Sequence, residues 1–156
     1  MRIVVVSDSH GNDTAIFRAH EQAGGCDLLI HTGDGEQDAL ALEELLGCRV
    51  LRVAGNCDIG STAPRELVLE LAGTRLLITH GDRQYVKSGL ERLYSYARER
   101  QATVVLFGHT HLAHCEERDG LLLLNPGTLN RQAGYRSFAV LTLGDGTVQA
   151  EIRELV

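Results

Sequence analysis

The 156-residue sequence predicts an α/β (α+β) fold in a single domain, residues 1–156, built on two sheets. Two observations carry this prediction. β-Branched or leucine-rich runs alternate with helical periodicities at the start of the chain, and strand-turn-strand patterns fill its end. With only two prolines, no linker and no fixed-period repeat, nothing in the chain divides it.

Arg2–Ser7, Asp27–Thr32 and Arg49–Ala54 read as strands, with helices over Thr14–Ala23 and Gln37–Leu46 between them. Ile16, Ala19 and Ala23 mark one apolar helix face, and Ala39, Leu42, Leu45 and Leu46 mark the other. Gly24-Gly25 and Gly47 supply the stops. This β-α-β-α-β order calls for parallel strands with the helices packed outside. Glu66–Leu71 and Arg75–Thr79 then read as a hairpin around Gly73, followed by a helix over about Val86–Arg100 and a buried strand over Thr103–Phe107. Turns at Asp119-Gly120 and Gly144-Asp145-Gly146 predict further antiparallel strands.

Hydrophobic residues make up 44% and charged residues 23%, values that fit a chain folded throughout. The net charge of −6 argues against broad nucleic-acid binding, which needs a basic face, so an anionic substrate must be attracted locally. The apolar run in MRIVVVSDSH is too short for a signal peptide, and no stretch approaches a membrane span; the expectation is a cytoplasmic protein. Cys26, Cys48, Cys57 and Cys115 form no C-x-x-C pair, and Cys26, Cys48 and Cys115 read as packing residues.

Five predicted strands end in metal-competent residues. Ser7-Asp8-Ser9-His10, His31-Thr32-Gly33-Asp34, Gly55-Asn56-Cys57-Asp58, Thr79-His80-Gly81-Asp82 and Gly108-His109-Thr110-His111 each follow one. Ligands in open α/β sheets bind beyond the carboxyl ends of strands, so these segments are expected to converge on one cleft. Asp8/His10 and His109/His111 are spaced two apart, which in extended backbone projects each pair to one side. Carboxylate, carboxamide and imidazole donors suit Mn²⁺, Fe, Zn²⁺ or Mg²⁺ better than a soft Cu(I) or iron–sulfur centre. Seven such residues exceed the needs of one ion.

The ordered set resembles the calcineurin-like metallophosphoesterase superfamily, whose pattern is D-x-H, G-D, G-N-H-D/E, H-G and G-H-x-H. Gly55-Asn56-Cys57-Asp58 and Asn125-Pro126-Gly127-Thr128 are similar to its small bacterial and archaeal phosphodiesterase branch. The resemblance implies a four-layer α-β-β-α sandwich, two stacked mixed sheets flanked by helices. It also implies two divalent metal ions, with Mn²⁺ first and Fe, Zn²⁺, Ni²⁺ or Mg²⁺ as alternatives. Asp8, His10, Asp34 and His111 would hold one; Asp34, Asn56, His80 and His109 would hold the other, with Asp34 bridging. The implied activity is hydrolysis of small phosphodiesters by a hydroxide bridging the ions, the alternatives being a phosphomonoesterase or a noncatalytic protein-interaction scaffold of the same fold. Nucleic acid enters only as a short or nucleotide substrate, no membrane is implied, and homo-oligomerisation stays open.

The chain departs from the pattern at Cys57, where larger members carry a histidine that, with the following acid, is thought to protonate the leaving alkoxide. Asp34, Asn56, Cys57 and Asp58 are the catalytic candidates, with Asp58 orienting Cys57, a water or a nearby loop. Ala39 follows Gly33-Asp34-Gly35-Glu36-Gln37-Asp38, so the arginine of the protein-phosphatase form is missing. His31 reads either as a support for the metal ligands or as a core histidine. Arg131 and Arg136 are candidates for substrate phosphate, whereas His20, His114, Tyr85, Tyr94 and Tyr96 read as structural.

Overall fold

The computed structural model describes all 156 residues. In chain order the elements are β1 (Arg2–Val6), α1 (Asp13–Ala23), β2 (Leu28–His31), α2 (Glu36–Leu46), β3 (Arg49–Arg52), β4 (Glu66–Leu71) and β5 (Thr74–Thr79). Two 3-10 turns follow at Asp82–Gln84 and Val86–Ser88, then α3 (Glu91–Glu99), β6 (Val104–Leu106), β7 (His114–Arg118), β8 (Leu121–Asn125), β9 (Ser137–Gly144) and β10 (Thr147–Glu154). The helix expected over Val86–Arg100 is therefore broken. Gly89 adopts φ 126°, ψ 166°, a conformation no helix continues through, so only a turn precedes it and α3 starts beyond it.

Two five-stranded mixed sheets form, in the orders β10-β9-β1-β2-β3 and β4-β5-β6-β8-β7. β1, β2 and β3 are parallel, as are β5, β6 and β8, while the remaining pairings are antiparallel. Side-chain alternation makes the layers. In β1, Ile3 and Val5 face the second sheet with Leu76, Ile78, Val104 and Leu106, whereas Val4 and Val6 pack on Ala15, Ile16 and Ala19 of α1. Leu77 and Val105 turn the other way, onto Leu93 and Ala97 of α3. The result is the four-layer α-β-β-α sandwich, and no helix is long and apolar enough to cross a membrane.

Because β1, β2, β3, β5 and β6 run the same way within their sheets, their carboxyl-end loops share one edge of the sandwich. Buried polar contacts fix those loops. His31, wholly buried at the end of β2, accepts at Nδ1 from the Gly33 amide (3.1 Å), which leaves Nε2–H to donate to Ser9 Oγ at 2.9 Å. Ser9 in turn donates to Asp38 at 2.6 Å, so the first and second loops are tied from behind. His31 is thus a support for the site.

Each of the hairpins β4–β5, β7–β8 and β9–β10 turns through two residues of positive φ: Ala72-Gly73, Asp119-Gly120 and Asp145-Gly146. This geometry suits Asp-Gly or Asn-Gly, and Ala72 at φ 48° is the misfit. Ala72→Asn should raise stability by about 1 kcal/mol, read as a higher denaturant midpoint at unchanged slope. An unchanged or lower midpoint would contradict this account of the turn.

Burial pushes the His31 pKa down to about 4, from an ordinary 6.5, despite the opposing pull of Asp8, Asp58 and Asp38. The unfolded chain therefore takes up this proton first as pH falls. The stability contribution is complete above pH 6.5 and drains away between 6.5 and about 4, by about 3 kcal/mol. In His31→Gln the acid slope of unfolding stability should flatten across that window; an identical slope in both proteins would rule out the buried neutral ring as its source.

Candidate metal centre

The convergence expected from the motif order occurs, by a route the spacing does not predict. Asp8, His10, Asp34, His109 and His111 all have left-handed backbone, with φ of 52°, 47°, 58°, 69° and 61°. The pairs spaced two apart are thus not extended. Tight turns swing their side chains inward instead, at a local cost that Asp and His tolerate better than most residues.

Two donor groups result. Asp8, His10 and His111 place one donor atom each within 4.8 Å of one another, as do Asp34, His80 and His109. His10, Asp34 and Cys57 form a third such group, so Asp34 lies between the other two. Asn56 joins the second group, with Oδ1 3.1 Å from His80 Nε2. His109 and His111, separated by one threonine, therefore serve different groups.

His80 is the best-defined donor. Its Nδ1 is 2.9 Å from the Thr32 carbonyl and must carry a proton to bond it, which turns Nε2 toward the cleft. There Nε2 meets Asn56 Oδ1 at 3.1 Å, His109 Nδ1 at 3.1 Å and Asp34 Oδ2 at 3.2 Å. Asp8, fully buried, receives Ser7 Oγ–H (2.5 Å) and the His109 amide (3.1 Å) on Oδ2. Its Oδ1 has no aligned hydrogen bond, although His111 Nε2 stands 3.1 Å away and His10 Nε2 3.9 Å. A buried carboxylate oxygen without a donor, facing imidazoles, fits a divalent cation.

The electrostatics agree. Burial pushes both carboxyls up, but the histidines outweigh it: His111 and His80 beside Asp8, and His80 beside Asp34, hold both below the ordinary carboxylate range. The nearby Asp8 carboxylate raises His111, and Asp34 and Asp8 raise His80 against its own burial, whereas burial and the neighbouring His80 lower His109. Protons on His80 and His111 stand where metal ions would compete.

Close backbone approach explains two of the glycines. A Cβ on Gly55 would collide with Asp34 Oδ1, and one on Gly108 would collide with Ser7 Oγ and stand 2.8 Å from Asp8 Oδ2. Neither position needs a positive φ; each needs the missing side chain.

Asp58 does not face the donors. Its carboxylate accepts the Asp34, Gly35 and Gly55 amides, each at 2.8 Å, and so orients the neighbouring loop. Cys57 is exposed at the rim, with its amide donating to Asp34 Oδ1 at 2.8 Å; burial of its thiol and the adjacent Asp34 push its pKa up, keeping the proton on sulfur. Arg65, unmarked by any motif, donates to the Gly55 carbonyl (2.6 Å) and to Asp82 (2.5 Å), joining the asparagine loop to the His80 loop. Asn125 donates to the Gly108 carbonyl and to Thr110 Oγ1, both at 3.0 Å, and Thr128 donates to the Asp8 carbonyl at 2.9 Å. Arg131 donates to the Gly11 carbonyl at 3.2 Å. The Asn-Pro-Gly-Thr stretch thus braces the first and last loops from behind.

Residues 1–146 match the calcineurin-like phosphoesterase superfamily domain. A probable metallophosphoesterase of Bacillus subtilis, YsnB, is 37% identical over 150 residues, spanning 92% of this chain and 85% of its own. Phosphodiesterase YfcE of Escherichia coli is 31% identical, with 97% of each chain covered. Among solved structures, a Streptococcus pneumoniae protein described as a predicted phosphoesterase superposes with a TM-score of 0.76 at 26% identity, covering 97% of each chain. With its donor loops in this order and its match nearly end to end, the chain belongs to the calcineurin-like phosphoesterase superfamily.

Proposed function

We propose that this phosphoesterase is a phosphodiesterase for small substrates, working with two divalent ions, Mn²⁺ in the first instance. Asp8, His10, Asp34 and His111 would hold one ion; Asp34, Asn56, His80 and His109 would hold the other. The observation that carries this reading is the place of Asp34, within 4.8 Å of donors from both sides. A carboxylate can give one oxygen to each ion, and its ionised state is already secured by His80. When bound, the ions supply Lewis acidity and lower the pKa of a coordinated water toward ~7.

The chain's own residues set what enters and what leaves. Two ionised carboxylates against two dications leave about two positive charges by summation, so an otherwise acidic surface holds one anion-seeking spot. A phosphodiester brings a single charge and no dianionic terminus for an arginine to clamp, and the protein-phosphatase arginine is missing from this stretch. The YfcE relative carries the phosphodiesterase name, which supports the same choice over a monoesterase. Cys57 holds a proton at the rim, with Sγ 3.5 Å from Asn56 Nδ2, and in this reading would be the group that protonates a leaving alkoxide. Asp58 orients rather than reacts, through the three amides it accepts.

Purified protein with Mn²⁺ should hydrolyse an aryl phosphodiester faster than the matched monoester, lose this activity on chelation, and regain it on adding metal back. Asp34→Asn should abolish turnover. Background rates with every divalent ion tried would sink the enzymatic reading and favour a scaffold, and a faster monoester would reassign the substrate class.

Removing the proton donor separates the leaving groups. Cys57→Ala should slow an alkyl diester by about tenfold or more, and leave the aryl diester, whose leaving group needs no acid, within about threefold of the parent. Equal losses on both would show that Cys57 is no acid.

A further inference from the structure

The amino ends of β2 and β3 lie opposite the phosphoesterase edge, and there the fold brings together three side chains that their spacing in sequence conceals. His20 stands in the last turn of α1, Cys26 in the loop before β2, and Cys48 between α2 and β3. One ring nitrogen and the two sulfurs lie within 4.8 Å of one another, and the sulfurs are 3.5 Å apart. We propose that His20, Cys26 and Cys48 form a second metal site, for a borderline-soft divalent ion of the zinc class, chemically distinct from the carboxylate–imidazole cleft.

The donor geometry fits. Two thiolates bound to one tetrahedral ion at ~2.3 Å lie ~3.8 Å apart, so the pair needs to open by only a few tenths of an ångström. A nearby imidazole supplies the third donor. All three residues are partly exposed, leaving the fourth position to water. α1 ends beside this cluster: Gly25, at φ 82°, folds back so that its amide donates to the His20 carbonyl at 3.0 Å.

The chemistry favours a cation as well. A dication replaces the two thiol protons, which leave to solvent, and the filled site is neutral: two thiolates against one M²⁺, with a neutral imidazole. Thiolates select zinc-class ions over Mn²⁺ or Mg²⁺, so the two ends of the first sheet sort metals by softness. The ion ties α1, β2 and the turn after α2 to one point, so binding should raise folding stability.

The test uses reduced protein carrying Cys57→Ser and Cys115→Ser, so that the two exposed thiols do not contribute, and Co²⁺ as a spectroscopic probe. A saturable near-ultraviolet thiolate-to-cobalt charge-transfer band is expected. It should survive Asp34→Asn, which disables the cleft, and vanish in Cys48→Ser. His20→Gln, which keeps both thiols, should weaken the affinity by about tenfold or more and shift the visible bands. Should Cys48→Ser fail to fold, His20→Gln and Cys26→Ser decide the matter by the same readout. Absence of the band in folded parent protein, or a band that outlasts loss of either cysteine, would overturn the proposal without touching the phosphodiesterase reading.

Discussion

Two carboxylates buried at the seam between the sheets, Asp8 and Asp34, govern the arrangement of everything near them. An ionised carboxylate that is 0% or 2% exposed is tolerable only with opposite charge or hydrogen-bond donors at hand. Both carboxylates come from the first sheet, whereas His80, His109 and His111, which answer them, come from the second. The apolar interior of Ile3, Val5, Leu76, Ile78 and Val104 drives the sheets together without strongly specifying their alignment, because aliphatic packing accommodates sliding and substitution. Contacts such as the His109 amide on Asp8 and the His80 ring on the Thr32 carbonyl permit no such tolerance. Register between the sheets is therefore set where the chemistry is placed.

That division explains what was legible in the sequence. Strands were readable because short β-branched runs such as Ile3-Val4-Val5-Val6, apolar throughout, reflect burial on both sides of a sheet. The donors were readable because their residue types recur at strand ends. Their backbone was not: five of them adopt left-handed φ, which a pattern of residue types does not encode. The break at Gly89 escaped the helical periodicity for a similar reason, since the apolar spacing of Val86, Leu90, Leu93 and Ala97 continues across it. Arg65 carried no signal because its partners, the Gly55 carbonyl and Asp82, adjoin it only after folding. His20, Cys26 and Cys48 were invisible as a set, because the turns that gather them each looked like an ordinary stop between helix and strand.

Left-handed backbone at five donor residues is a sizeable local strain, on the order of 1 kcal/mol per residue. It persists because neighbouring groups leave the loops no alternative. Asp58 collects three amides, Thr128 and Asn125 hold the carbonyls of Asp8 and Gly108, and His31 ties its own loop to Ser9. None of these groups is among the donors. The strain is concentrated in residues that gather donor atoms, and its compensation in residues that do not, so the cleft can be preorganised before any ligand arrives.

The two ends of the first sheet differ in their electrical reach. β2 spans four residues, ~13 Å, and separates the Cys26 loop from the Asp34 loop. A thiolate pair neutralises its dication, so a filled site at the amino end would project little field across that distance, while a cleft holding the two proposed dications would keep about two positive charges to draw an anion. Any influence of the first on the second must then travel through the stiffness of β2 and β3, which follow Cys26 and Cys48 and lead into the Asp34 and Gly55 loops. A neutral clip at one end of short parallel strands restrains their opposite ends without altering the charge that the substrate meets, and stability and turnover can vary separately for that reason.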